Sequence, residues 1–256
     1  MHLSTRSIAA VVLAAVLVGC GPDTSSPTPA GTPVVPTASF SATEPATDAA
    51  PPSPDASPSA DARTPDGWER IVVADAGLSL AIPDGWEQLS ADVIGDSGLM
   101  DEMLAANPDA AAAIEQAQAA IAGGDIALFA FDASRESLES GFAANINAIN
   151  VGDPGGTAAD AAGEVAAVIE QQVPVVGEVE TEVVSLPAGD AALVRYEWEV
   201  QDATGAAQRV AVRQYAIIGD RSGTGFIVSM SAAADAVDAY EEVFRRVAES
   251  FAEEPA

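Results

Sequence analysis

The chain contains no lysine, one histidine (His2) and one cysteine (Cys20) in 256 residues. Without lysine there is no Schiff-base amine and no phosphate-loop ammonium. A single cysteine cannot close a disulfide within the chain, and zinc sites built from histidine and cysteine are equally out of reach. Positive charge is scarce: 10 basic residues, all arginine, stand against 39 acidic ones, for a formal net charge of -29. A surface of that sign repels nucleic acid and anionic lipid, so nucleic acid is not expected as a partner. A halophilic source is an alternative origin for the same excess. Long apolar runs are also missing. The longest uncharged one, Ile8 to Val18, spans about 11 residues, roughly half of the ~20 that a helix needs to cross a bilayer.

That short run has the shape of a secretory leader, because the residues before it are polar and carry one positive side chain, Arg6. It ends in Leu17-Val18-Gly19-Cys20, which resembles the lipobox of bacterial lipoproteins. The resemblance implies that residues 1–19 are cleaved off and that the Cys20 thiol carries a diacylglycerol. Several acyl chains anchor a protein stably, whereas one short chain holds it marginally. The expected place is therefore the extracytoplasmic face of the cell membrane, attached through lipidated Cys20. An ordinary leader, or a small buried cysteine, is the alternative. Cleavage would also remove His2, and with it the base of any Ser/His/Asp or Cys/His system. Carboxylate, hydroxyl, arginine and backbone chemistry would remain.

Residues 20–64 are dominated by Pro, Ser, Thr and Ala, as in Pro51-Pro52-Ser53-Pro54, with Phe40 as the one aromatic. Such a segment cannot bury enough apolar area to offset its chain entropy and is expected to be a disordered tether. In polyproline II form, at about 3.1 Å per residue, it would reach on the order of 140 Å.

Residues 65–256 suit one α+β domain. Two short strands, Glu69 to Ala74 and Leu78 to Ile82, flank a tight turn, and Pro-Asp-Gly-Trp-Glu occurs twice, at Pro65 and at Pro83. Helices are expected at 90–105 and 108–121, the second capped by Asn107 and ended by Gly123-Gly124. Strands follow near 125–131 and 144–151, then a helix over 158–172 with Thr157 as its cap. Beyond it the period changes to two, giving successive antiparallel strands at 179–186, 192–201, 208–218 and 225–231. Val194, Tyr196, Trp198 and Val200 share a core face, and Arg195, Glu197 and Glu199 a wet one. The chain closes on an amphipathic helix with Val237, Tyr240, Val243, Phe244, Val247 and Phe251 on one side.

The lipobox, the tether, the hairpin ending in Leu80-Ala81-Ile82-Pro83-Asp84-Gly85-Trp86, the late strands and the closing Ala248-Glu249-Ser250-Phe251 together resemble the LpqN-type actinobacterial lipoproteins. These share the α/β/α sandwich of PsbP and the Ran-binding Mog-type proteins. The resemblance implies a mostly antiparallel sheet covered by helices and brings no catalytic, metal or cofactor residue with it.

Among chemistry-bearing residues, Glu178, Glu180 and Glu182 at strand spacing read as a solvated strand face, since calcium needs six to eight oxygens from several directions. Asp92, Asp96, Asp101 and Glu102 read as helix-surface charge, and Asp153-Pro154-Gly155-Gly156 as a loop before a helix start. Trp68, Trp86, Tyr196, Trp198 and Phe226 are either core or the lining of an apolar pocket. Three functions compete: a non-enzymatic docking module for an envelope protein, marked by an exposed apolar patch; a carrier of a lipid or other apolar ligand, marked by a deep pocket; and a carboxylate-based hydrolase, marked by a buried carboxylate pair.

Overall fold

The computed structural model describes residues 64–89, 111–124, 126–140, 142–201 and 207–254. The leader, Cys20, nearly all of the tether, the helix expected at 90–105 with its Asp92, Asp96, Asp101 and Glu102, and the caps Asn107 and Pro108 lie outside these residues.

Strand β1 (Trp68–Val73) and β2 (Leu78–Pro83) form the expected hairpin, closed by a short 3-10 turn and by Gly77 in the left-handed region at φ 67°. Trp68 pairs with Pro83, so the two Pro-Asp-Gly-Trp turns sit side by side, with Asp84 N donating to Gly67 O at 3.2 Å. The chain continues through β3 (Trp86–Leu89), α1 (Ala111–Ala122), β4 (Leu128–Asp132), α2 (Arg135–Glu139) and β5 (Asn145–Gly152). Then come α3 (Ala158–Gln172), β6 (Val175–Leu186), β7 (Gly189–Gln201), β8 (Ala207–Ile218), β9 (Gly225–Ala233), α4 (Val237–Ser250) and the two-residue β10 (Ala252–Glu253). Helix α3 begins where its cap dictates: Thr157 and Asp160 form a reciprocal capping box.

Seven strands make one sheet in the order β3-β4-β5-β9-β8-β7-β6, every neighbouring pair antiparallel. The chain crosses from β5 to the far edge through α3, and β6 to β9 then meander back to pair with β5. Each face of the sheet is covered, which makes the α/β/α layering of an α+β domain. On one face lie α1 and α3, with Ile114, Val165 and Ile169 packed on Leu89, Phe129, Val194 and Trp198. The other carries α4 and a three-stranded sheet, β1-β2-β10. There Leu80, Ile82, Phe244, Val247 and Phe251 meet Ile146, Val228 and Met230. Full burial of side chains such as Phe244 and Phe251 contributes about 1.5–3 kcal/mol each.

Strand β10, unanticipated in the sequence, closes this layer. It pairs with Leu78 and Ser79 of β2, and its Glu253 carboxylate accepts from Arg221 N at 2.9 Å and from Ser222 Oγ.

Candidate functional site

The expected wet face of β7 is wet along half its length. Ala191 and Leu193 on that face are buried beneath the α4 layer, whereas Arg195, Glu197 and Glu199 further along emerge from it. The cause is coverage: α4 lies over β8, β9 and β2, and the outer strands reach past it. What they present is charge.

Register decides which charges meet. Arg195 of β7 stands between Glu180 of β6 and Arg213 of β8, and Glu199 stands opposite Arg209. Two guanidiniums directly opposite each other are locally unfavourable. Each is drawn aside to a carboxylate: Arg195 Nη2 to Glu182 Oε2 at 3.0 Å, and Arg213 Nε to Glu241 Oε1 of α4 at 2.8 Å. A looser pair joins Arg209 to Glu197 at 3.7 Å. Of these residues Glu180, Arg195, Glu197, Arg209 and Arg213, with the bulge at Gly177, φ 87°, line an open groove of about 490 Å³. A second hollow of about 500 Å³ shares Glu197 and Arg209 and continues the groove to Asp235. Three of the ten arginines of an acidic chain thus converge on one face.

The two outer pairs, Arg195 with Glu182 and Arg209 with Glu197, are easily exchanged, whereas Arg213 is only 14% exposed and held more firmly. Exposed ion pairs are worth about 0–1 kcal/mol each, so a partner that offers its own charges can take them over at small cost. Chemically the face can recognise, orient and steer. Among the described residues it holds no group of His, Cys, Asp and Glu side chains arranged for a metal ion.

A different arrangement lies on the opposite face, beneath α1 and α3. Gln214 of β8, Ser229 of β9 and Asn147 of β5 stand abreast, and Ser231 and Asn145 stand abreast two residues along. All five are buried, in the middle of the sheet. Gln214 Nε2 donates to Ser229 Oγ at 3.0 Å, and Asn145 Nδ2 to Ala143 O at 3.1 Å. Asn147 Oδ1, Gln214 Oε1, Ser231 Oγ, Tyr196 Oη, Trp198 Nε1 and, further along β8, Gln208 Oε1 have no hydrogen-bond partner within the chain. Each buried polar atom left so costs on the order of 1–3 kcal/mol. Burial also pushes the Tyr196 phenol far above the ordinary tyrosine range, which keeps it a neutral O–H.

The remaining candidates fall as follows. Glu178, Glu180 and Glu182 are exposed, as expected of a solvated strand face, and the bulge between Val176 and Glu180 breaks their register. Asp153 to Gly156 is a loop in which Asp153 Oδ1 accepts from Gly155 N at 2.9 Å. The start of α3 is occupied by its own Asp160, whose Oδ2 accepts from Thr157 N at 2.9 Å. The five aromatics do not share a pocket: Tyr196 and Trp198 belong to the α1/α3 layer, and Trp68, Trp86 and Phe226 to the α4 layer. The apolar cavity beside Phe226 and Pro154 measures about 40 Å³. Exposed large apolar side chains among the described residues are Val72 and Val183, on separate strands.

Arg209 and Arg213 were not singled out in the sequence. Their signal was the alternation of β8, in which Gln208, Val210, Val212 and Gln214 share one face and Arg209, Ala211 and Arg213 the other. Nothing local told which neighbours they would meet.

Fold and face together define an α+β sandwich domain with an uncovered, mixed-charge sheet edge. No family model and no curated protein matches the chain. Among solved structures it is similar to the cyanobacterial PsbP of Synechocystis, at 16% identity over 73% of this chain and 92% of that one, with a TM-score of 0.43. It is similar also to LpqN of Mycobacterium tuberculosis, described as involved in cell envelope biogenesis, at 13% identity over 73% and 91%, TM-score 0.40. A third is the Ran-binding protein Mog1p of Saccharomyces cerevisiae, at 12% identity over 73% and 95%, TM-score 0.42.

Proposed function

We propose that the chain is a non-enzymatic lipoprotein, anchored through Cys20 on the extracytoplasmic face of the membrane, whose domain docks an envelope protein by the charged face of β6, β7 and β8. The observation that carries this reading is the convergence of Arg195, Arg209 and Arg213, interleaved with Glu180, Glu182 and Glu197, on a surface the α4 layer leaves open. Alternating charges of both signs fix register and reject wrong partners, which suits a docking surface better than a steering patch of one sign. The expected exposed apolar patch is not the recognition element here. Charge takes its place.

The test is site-specific photocrosslinking in the native envelope. A crosslinker at Glu199, beside the groove, should give one discrete protein adduct, lost in the Arg195→Glu, Arg213→Glu double variant. A crosslinker at Glu164 on α3 should give none. Equal adducts from both positions, or an adduct that survives the double variant, would remove the face from the account. The anchor has its own test: Cys20→Ala protein should appear in the soluble fraction, and protein still firmly membrane-bound would end the lipidation reading.

A further inference from the structure

We propose that the outer edge of β6 takes up an extended segment of the docking partner as an added strand, one that presents basic side chains at alternate positions to Glu180 and Glu182. The proposal deepens the docking reading above and rests on it. Strand β6 is the last of the seven-stranded sheet and pairs with β7 alone. Its regular stretch runs from Glu180, beyond the Gly177 bulge, to Leu186, before the turn at Pro187 and Ala188. That stretch spans roughly 20 Å at ~3.4 Å per residue. In an antiparallel pair every second residue turns its N–H and C=O away from its partner, so a row of main-chain donors and acceptors faces outward along β6. Among the described residues no backbone group pairs with that row.

Exposed edges are normally kept short, interrupted by proline or covered. The other edge strands, β3, β1 and β10, have four, six and two residues. Strand β6 has twelve, contains no proline and is exposed at most of its positions.

The side chains along the edge select the occupant. Glu180 and Glu182 lie on the α4 side, across from Arg195 and Leu193, with Val184 and Leu186 beyond them. Glu182 pairs with Arg195, whereas Glu180 makes no ion pair among the described residues. On the α3 side stand Thr181, Val183 and Ser185, and Val183 is 49% exposed. An added strand sets its own side chains opposite these, where unlike charges attract and like charges repel. Basic residues at every second position therefore meet the two glutamates, and a β-branched residue between them lies against Val183. A second copy of this chain does not fit, because its own edge is acidic and each copy carries a formal net charge of -29. The glutamates turn away copies of the chain and admit a basic strand. Main-chain pairing supplies the affinity and the alternating side chains the specificity.

The probe is a nine-residue peptide of alternating arginine and threonine, acetylated and amidated at its ends, titrated into the full chain at about 0.15 M salt. Two further peptides of the same charge carry N-methyl groups, one on its arginines and the other on its threonines. Only one of these sets turns its N–H to β6. One methylated peptide is therefore expected to bind at least tenfold more weakly than the parent, and the other within about twofold of it. In the parent complex, hydrogen exchange should slow at alternate amides between Glu180 and Leu186. Glu180→Lys should weaken the parent at least fivefold, and Glu164→Lys on α3, the same change of charge at an exposed site away from the edge, by less than about twofold. No binding of the parent overturns the proposal. So do equal effects of the two methylations, which mean attraction by charge alone, and unchanged exchange along β6. None of these results touches the Glu199 adduct, so the edge can fail while the docking face stands, and that adduct alone decides the face.

Discussion

Single side chains tie the elements of a layer together, and Ser250, which joins α4 to the three-stranded sheet beside it, shows how. Its hydroxyl, fully buried at the end of α4, accepts from Ala81 N of β2 at 2.9 Å and donates to Val247 O at 2.7 Å. Beside it Arg70 donates to Ser79 Oγ at 2.9 Å and to the Ser250 carbonyl at 3.1 Å. Replacing Ser250 by alanine leaves the Ala81 N–H buried without a partner. The expected loss is about 1–3 kcal/mol, read as a lower urea midpoint with an unchanged slope. Arg209→Ala, by contrast, removes a loose pair on the open face and should cost under about 1 kcal/mol, since Arg209 and its partner Glu197 are 58% and 41% exposed. A residue that matters to docking and little to folding is the mark of a surface built for something outside the chain.

At the scale of elements, α3 is the part of the fold whose ends were written into the sequence. Thr157 Oγ1 and N both donate to Asp160 Oδ2, at 2.8 and 2.9 Å, and Asp160 N donates back to Thr157 Oγ1. The hydrogen bonds from the Thr157 side chain, then from its backbone, hold the Asp160 carboxyl below its ordinary value. A carboxyl depressed in the folded state contributes stability that is fully present above its unfolded pKa, about 3.9, and is lost as pH falls through the lower folded value. The gap in urea midpoint between the protein and its Asp160→Ala variant should therefore be constant from pH 7 to about pH 5 and close as pH drops below about 4. A gap that widened on acidification would contradict the capping role. The opening hairpin, the late strands and α4 were legible for the same reason as α3, through period, turn residues and caps. The four-residue β3 was not, because it follows its turn with too few residues to show a period. Neither was β10, whose two residues are strand only because Ser79 and Leu78 wait for them. The candidate sites were legible in part. The alternation of β7 placed Arg195 and Glu197 outward, but their meeting with Arg213 and Arg209 depends on the pairing register of β7 with β8. Asn145, Asn147, Ser229 and Ser231 alternate with apolar residues in a way that reads as polar side out. In a sheet covered on both faces, that inference points the wrong way.

For the whole molecule, sign of charge sets two responses to salt that run in opposite directions. The chain carries a formal net charge of -29, and like charges on a compact body repel more in the folded than in the unfolded state. The ion pairs that oppose this, such as Arg135 with Glu139 and Arg246 with Glu242, are on the surface and worth about 0–1 kcal/mol each. Screening should therefore relieve more repulsion than it removes attraction. Between about 0.01 M and 1 M salt the Debye length falls from ~30 Å to ~3 Å, and the thermal midpoint of the free protein is expected to rise across that range. Docking through Arg195, Arg209 and Arg213 should respond the other way, with an affinity that falls over the same range as the paired charges across the interface are screened. The midpoint in a salt series measures the first, and stopped-flow or surface-bound kinetics with the crosslinked partner measures the second. Were both to fall together, the surface pairs would be stronger than their exposure allows, and the charged face would be part of what holds the fold rather than what the fold presents.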